Sequence, residues 1–370
     1  MAKSVGYLPT LDGWRAFAIL AVISSHMAHW ANDNGGLPHS VLSILDGASM
    51  KGVQLFFAIS GFLITTRLVE EWNSFGQISL KRFYVRRVCR ILPAAMIYLV
   101  LIALLGWMGF LPFQWKQWLA AVCFIRNYIE PGGTPFEAHY WTLSIEEQSY
   151  LVWPALLALS GLKRARYTVS ILILGLWIWR VVAFHHIWGP LREVMWDRSE
   201  MCSDGILLGC FVALALQSPL LKKWLSKYLT VWVVGAIIVI IVVVGGTCTP
   251  TGRTIQSAFM PFVVVATILN PHTWLGRLLE VPALRWIGRL SYSLYIWQQL
   301  FTFHKFIPWY PLQLVAIFGV AALSFYFIEK PLMKLGYRLA PPPTLGHKDL
   351  GAPSPVTASE APIAHSALGG

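Results

Sequence analysis

Ten apolar segments follow one another along this chain, at 14–30, 52–68, 91–111, 143–161, 167–188, 204–220, 229–246, 255–270, 284–303 and 309–327. Each is near the length of α-helix that crosses about 30 Å of hydrocarbon, the second, sixth and eighth only marginally. Their recurrence limits the fold more than any other feature and predicts an all-α, polytopic transmembrane helix bundle of about ten spans. Charged residues make up only 12% of the 370 and mean hydropathy is +0.59, whereas a soluble domain carries about 25% charged residues. The 18 Trp and 13 Tyr suit aromatic belts at many interfaces. A lone Lys3 ahead of the first segment and the lack of a small-residue cleavage site after it argue against a cleaved signal peptide.

The cations set the expected sidedness. With both termini cytoplasmic, the outer side keeps Lys51, Lys116, Arg126, Arg180, Arg192, Arg198, Arg253 and Lys305, and the other 21 of the 29 Lys and Arg lie inside, as the positive-inside rule asks. The net charge of +12 is then explained by topology and the lipid bilayer, with no nucleic-acid partner. From Ala340 onward Pro, Ala, Ser, Thr and Gly dominate, so the chain divides into a membrane domain, 1–339, and a disordered cytoplasmic tail, 340–370. The five cysteines form no CxxC pair and accompany no His cluster at ligand spacing, and neither a disulfide framework nor a metal site is expected. The longest outer loop, roughly Pro112 to Thr142, contains Pro131-Gly132-Gly133 and reads as a lid or a substrate-facing loop.

Chemistry concentrates in a few places. Arg15 and His26 are eleven residues apart in the first segment, which on an α-helix is about 20° past three full turns and about 16 Å along the axis. Both side chains therefore share a face, with a cation near the membrane surface and an imidazole further in. Five cations crowd the inner loop from Lys81 to Arg90, and Arg86 and Arg90 at i, i+4 spacing can clamp a phosphate. Positive-inside anchoring alone needs fewer. At the outer end of the fourth segment, Ser144 and Glu147 fit a capping box, while Glu146 enters an apolar helix without such a reason. Ser60-Gly61 permits close helix packing, and Glu329 reads as an ion-pair partner for the inner arginines.

These residues, taken in order, resemble the signature blocks of acyltransferase family 3. The blocks are Leu11-Asp12-Gly13-Trp14-Arg15-Ala16 followed by His26; Gly52 to Leu63 with Ser60-Gly61-Phe62; and Phe83-Tyr84-Val85-Arg86-Arg87-Val88-Cys89-Arg90-Ile91-Leu92-Pro93. They continue with Trp141-Thr142-Leu143-Ser144-Ile145-Glu146-Glu147-Gln148, Ile287-Gly288-Arg289-Leu290-Ser291-Tyr292-Ser293-Leu294-Tyr295-Ile296-Trp297 and Phe327-Ile328-Glu329-Lys330-Pro331. The resemblance implies an integral membrane enzyme, bacterial and of the plasma membrane, that acylates envelope glycans or related hydroxyl acceptors. It implies catalytic roles for Arg15, His26 and Glu146, and acyl-CoA binding by Arg86, Arg87 and Arg90. The donor it implies is acetyl-CoA or another acyl-CoA, a co-substrate and no permanently bound cofactor. Gln298 departs from the pattern, standing where many members have His.

On this reading CoA docks inside, and His26 acts as general base toward an acceptor hydroxyl or as a nucleophile that carries the acyl group. Glu146, Glu147 and His139 belong to the outer face. Two other classes compete with an acyltransferase. A secondary transporter or flippase for a sugar-containing substrate also places His, Arg and Glu in spans, but many such folds show matching broken helices in two halves, and the motifs of the first half here have no counterpart in the second. A lipid-linked sugar transferase needs a metal- or carboxylate-rich site and large outer loops, and neither is visible.

Overall fold

A computed structural model describes residues 7–32, 38–129, 134–187, 194–244, 249–302, 307 and 309–341. Those residues form helices α1 (Pro9–Asn32), α2 (His39–Phe75), α3 (Leu80–Trp107), α4 (Trp115–Val122) and α5 (Tyr140–Val182). They continue with α6 (Ser199–Cys202), α7 (Asp204–Ala215), α8 (Pro219–Tyr228), α9 (Val231–Val243), α10 (Pro250–Leu269) and α11 (Trp274–Leu279). The last are α12 (Pro282–Thr302), α13 (Tyr310–Leu323) and α14 (Lys330–Leu339), with a π-helical turn, Ser324–Glu329, between the final two. No strand occurs among the described residues, and the fold is all-α.

Among the described residues each of the ten apolar segments overlaps a helix, but the boundaries move. The second is embedded in the much longer α2, whose helix continues on polar residues at both ends. The fourth and fifth lie in α5, which would run about 65 Å if straight, twice what a bilayer needs. Gly161 breaks it there, with φ 67° and ψ 161°, a conformation that only glycine adopts readily. Each half, 140–160 and 162–182, is then about one bilayer long. The sixth segment bends by 112° between α7 and α8.

Five described helices are long and apolar enough to cross a membrane, or six if α7 and α8 form one bent span. The first and ninth segments, α1 and α12, lie below that hydropathy because they carry polar groups. Large apolar side chains such as Leu151, Leu159, Ile171 and Val239 face outward, as lipid-facing positions do when hydrocarbon is the solvent. The chain is an integral membrane protein.

The centre of the bundle is built from α1, held between α2 and α12, with α2 packed in turn on α7. In lipid such contacts rest on close van der Waals fit, which small residues allow. At Gly61 a Cβ would collide with the Ile206 carbonyl of α7, so the expected close approach at Ser60-Gly61 is present. Val22, Val53, Phe57, Ile145 and Ile206 pack together beneath that contact. On the other side of α1, Ile19 and Ile23 pack with Leu290, Leu294 and Ile317.

Two cations counted toward outer sidedness are buried instead. Arg180 is 1% exposed and pairs with Asp204 at 2.6 Å, and Arg126 is 6% exposed. Their burial removes them from any surface bias, because a charge inside the bundle is held by partners there. Of the tail, only Ala340 and Pro341 are described, and Pro131-Gly132-Gly133 lies outside the described residues.

Candidate active site

Five helices deliver the polar groups to the bundle centre. From α1 come Arg15 and His26, from α2 Ser60, from α3 Arg87 and Arg90, from α5 Thr142, Glu146 and Tyr150, and from α12 Tyr292, Tyr295 and Gln298. They surround two cavities that meet at a common wall.

The first, a narrow cavity of about 80 Å³, is lined by Arg15, Arg87, Arg90, Ser60, Glu146 and Tyr150 among others. Arg87 donates through Nε (3.2 Å) and Nη2 (2.9 Å) to one Glu147 oxygen, and Nη2 lies 3.9 Å from Glu146. Its guanidinium also covers the Tyr150 ring at 3.4 Å. Glu146 accepts from the Ser60 hydroxyl and the Tyr150 hydroxyl, each at 3.2 Å. Ion pairs of arginine with carboxylate fall, among the described residues, on Arg67, Arg82, Arg87, Arg180 and Arg198. Arg15 and Arg90 are in none of them. This arginine cavity therefore holds two cations with no carboxylate of their own, and a small anionic group entering it meets both.

The second cavity is larger, about 530 Å³, and is lined by His26, Asn127, Arg126, His139, Asp197 and Gln299 with Trp141 and several apolar side chains. That volume suits a small-molecule ligand. His26 shares its Nδ1 with the Gln298 Oε1 at 3.2 Å. An amide oxygen can only accept, so Nδ1 carries the proton and Nε2 keeps the lone pair that a base or nucleophile needs. At the cavity's edge, burial pushes the Asp197 carboxyl up to about 6 despite the Arg253 and Arg126 guanidinium groups. Val53, Thr142 and Tyr295 line both cavities. The Thr142 and Tyr295 hydroxyls are hydrogen-bonded to each other; Tyr295 donates to the His139 carbonyl at 2.8 Å, and the Thr142 oxygen lies 3.2 Å from the same carbonyl.

The structure brings most of the sequence-derived residues together, in an arrangement that differs from expectation at several points. Arg15 and His26 do share one face of α1, but Arg15 opens to the arginine cavity and His26 to the other. Glu146 and Glu147, expected with the outer end of their helix, sit instead against Arg87. Six or seven helical residues carry them about 10 Å along the axis from Tyr140, and a carboxylate in an apolar bundle needs a counter-charge there. The capping box is absent: Ser144 Oγ donates to the Tyr140 carbonyl at 2.8 Å and accepts from the Arg126 N–H at 3.2 Å.

Arg86 is directed away from both cavities. It donates from Nε to the Ala340 carbonyl at 2.8 Å and lies over the Tyr337 ring, tying α14 to α3. Glu329 accepts from Ser293 (2.5 Å) and Ser324 (3.0 Å) hydroxyls in place of the expected arginine pair. Gln298, a departure from the family pattern, is the partner of His26; His139, expected only as a group of the outer face, lies against Tyr295, which the sequence offers no more than as part of a family block.

A family model for an acyltransferase domain, that of acyltransferase family 3, matches residues 8–332. The chain belongs to acyltransferase family 3. Among curated proteins it is similar to the peptidoglycan O-acetyltransferase OatA of Listeria monocytogenes, 29% identical over 378 residues that cover 90% of this chain and 56% of the relative. It is also similar to the O-acetyltransferase OatA of Staphylococcus aureus, 28% identical over 371 residues, covering 90% and 58%. The chain thus spans little more than half the length of these relatives. No solved structure matches the chain. In this member of acyltransferase family 3 the ordered sequence blocks converge on the two cavities, apart from the Arg86 and Glu329 positions described above.

Proposed function

We propose that this protein is a membrane-embedded O-acyltransferase that moves an acetyl group from acetyl-CoA to a hydroxyl of an envelope glycan. The observation that carries the reading is the shared wall: two unpaired arginines on one side of Val53, Thr142 and Tyr295, and an oriented histidine on the other. The relatives supply the acyl group and the acceptor class, since they bear the names of O-acetyltransferases, one of them acting on peptidoglycan.

In this mechanism Arg15 and Arg90 receive anionic groups of the donor, and the thioester is presented at the wall. The acceptor occupies the histidine cavity. His26 Nε2 takes the proton of its hydroxyl as the oxygen attacks the thioester carbonyl carbon. The tetrahedral intermediate collapses with rupture of the C–S bond, and the departing thiolate takes up the proton from the imidazolium. A positioned general base contributes about 10²- to 10⁴-fold to such a step. Glu146 is assigned to positioning, through its bonds to Ser60 and Tyr150. The donor side is assigned to the cytoplasm and the histidine cavity to the opposite face, so the acyl group crosses the membrane at the wall.

Sealed proteoliposomes of known orientation test both chemistry and sidedness, with radiolabelled acetyl-CoA on one side and glycan on the other. Label is expected on the glycan when the two are separated by the bilayer. Product only when both share the cytoplasmic side would refute the crossing, and no product in any arrangement would refute the acyltransferase reading.

A further inference from the structure

The histidine cavity contains a second imidazole, His139, for which the proposed reaction has no use. His139 is 3% exposed and precedes the first turn of α5. Its ring is caged by Tyr98, Tyr140 and Tyr295, at centroid distances of 5.5, 4.9 and 5.4 Å and steep interplanar angles. All three phenols are committed elsewhere: Tyr98 donates to the Phe136 carbonyl, Tyr140 to the Ala95 carbonyl and Tyr295 to the His139 carbonyl, at 2.7, 2.8 and 2.8 Å.

Neither ring nitrogen of His139 closes a hydrogen bond, although the Ile296 carbonyl lies near. The packing thus fixes the orientation of an imidazole whose nitrogens have no side-chain partner. A buried polar group without a partner is destabilising, which a fold has no reason to bear for packing alone when a phenylalanine would fill the cage.

Two more buried groups lining the same cavity are in the same state. Gln299 Oε1, one helix away on α12, has no partner, and neither has Arg126 Nε. An imidazole offers one donor and one acceptor, an amide oxygen accepts and a guanidinium donates. A ligand that satisfies all of them presents several hydroxyl or amide groups close together, as a pyranose does.

We infer that His139 is an acceptor-positioning residue: with Gln299 and Arg126 it binds hydroxyls of the acceptor sugar across the cavity from His26. The inference rests on the acyltransferase reading above and adds to it the residues that hold the acceptor. No proton transfer is assigned to His139. It fixes the sugar so that one hydroxyl reaches His26 Nε2.

The test uses the full chain in proteoliposomes, radiolabelled acetyl-CoA as donor and a soluble N-acetylglucosamine pentasaccharide as acceptor probe. His139→Phe keeps the cage filled and removes both nitrogens. The half-saturating probe concentration is expected to rise about tenfold, the loss of one to two hydrogen bonds, while the half-saturating acetyl-CoA concentration stays within twofold. His139→Gln, which offers a donor and an acceptor again, is expected to recover part of the loss, and Gln299→Leu to shift the probe in the same sense.

An unchanged probe value in His139→Phe, or equal shifts for donor and probe, would make His139 a packing residue and overturn this inference alone. Should His139→Phe fail to fold, Gln299→Leu decides by the same criterion. An unmodified chain that transfers no label to the probe would overturn both readings together.

Discussion

Arg87 and Arg90 lie one turn apart on the same helix, yet they should fail in different ways when replaced by alanine. Arg87 is bonded to Glu147 at 3.2 and 2.9 Å, stands 3.9 Å from Glu146 and covers Tyr150. The three charged side chains are only 14 to 18% exposed, so solvent screens their interaction little. Arg87→Ala removes the cation and leaves two carboxylates inside the bundle, one of them still held by Ser60 and Tyr150 hydroxyls.

Breaking a buried pair from one side costs about 3–5 kcal/mol. At roughly 2 °C per kcal/mol for a chain of this size, the melting temperature should fall by about 5–10 °C. Arg87→Met combined with Glu147→Gln removes one charge of each sign and should recover about half of the loss. Arg90→Ala breaks no ion pair, so it should melt within about 2 °C of the unmodified protein and instead raise the KM for acetyl-CoA. Tryptophan fluorescence of the detergent-solubilised protein reads the melting, and label transfer reads the KM. Equal melting losses for the two variants, or an Arg87→Ala protein of normal stability with raised KM, would refute this division between a structural and a ligand-binding arginine.

His26→Ala should leave the folded protein in the membrane and abolish transfer, and retention of a tenth of normal turnover would exclude His26 as base. Gln298→Leu should lower turnover about tenfold through loss of the bond that orients the ring, and an unchanged kcat would deny Gln298 that role. Because burial raises Asp197 to about 6, the folded chain holds a proton that the unfolded chain releases near pH 4, so stability is lost as pH rises from about 4 to about 6. Asp197→Asn should flatten that decline, and superimposable melting curves across this window would contradict the assignment. Gly161→Ala places a Cβ where φ is +67° and should cost about 1–3 kcal/mol, seen as a lower melting temperature without a change in either KM.

What the sequence revealed and what it hid divide along the range of the interactions. The shared face of Arg15 and His26 was legible because helical periodicity is local. The apolar segments located the helices but not their ends, since α2 continues as helix from His39, well before its apolar core. The pairing of His26 with Gln298 joins residues 272 apart, and no local pattern announces it. The same holds for Arg87 with Glu147, 60 apart, and for Arg86 with Ala340, 254 apart. Charge counting placed Arg126 and Arg180 outside for want of any sign that each was buried. Glu146 drew notice because a carboxylate in an apolar helix is costly, but that argument names no partner.

The wall formed by Val53, Thr142 and Tyr295 has an electrical consequence. Elsewhere the bilayer insulates with about 30 Å of hydrocarbon, whereas between two polar cavities a few side chains take over that task. On the proposed sidedness, most of the membrane potential then falls across this short stretch, and an ion passing it would gain or lose about 2.3 kcal/mol per charge at 100 mV. An acetyl group is neutral and crosses without feeling that field. Protons would feel it, and the hydroxyl pair of Thr142 and Tyr295 lies in the wall that stands against their leak. Tyr295→Ala proteoliposomes should therefore dissipate an imposed pH gradient faster than the unmodified protein, with no substrate present.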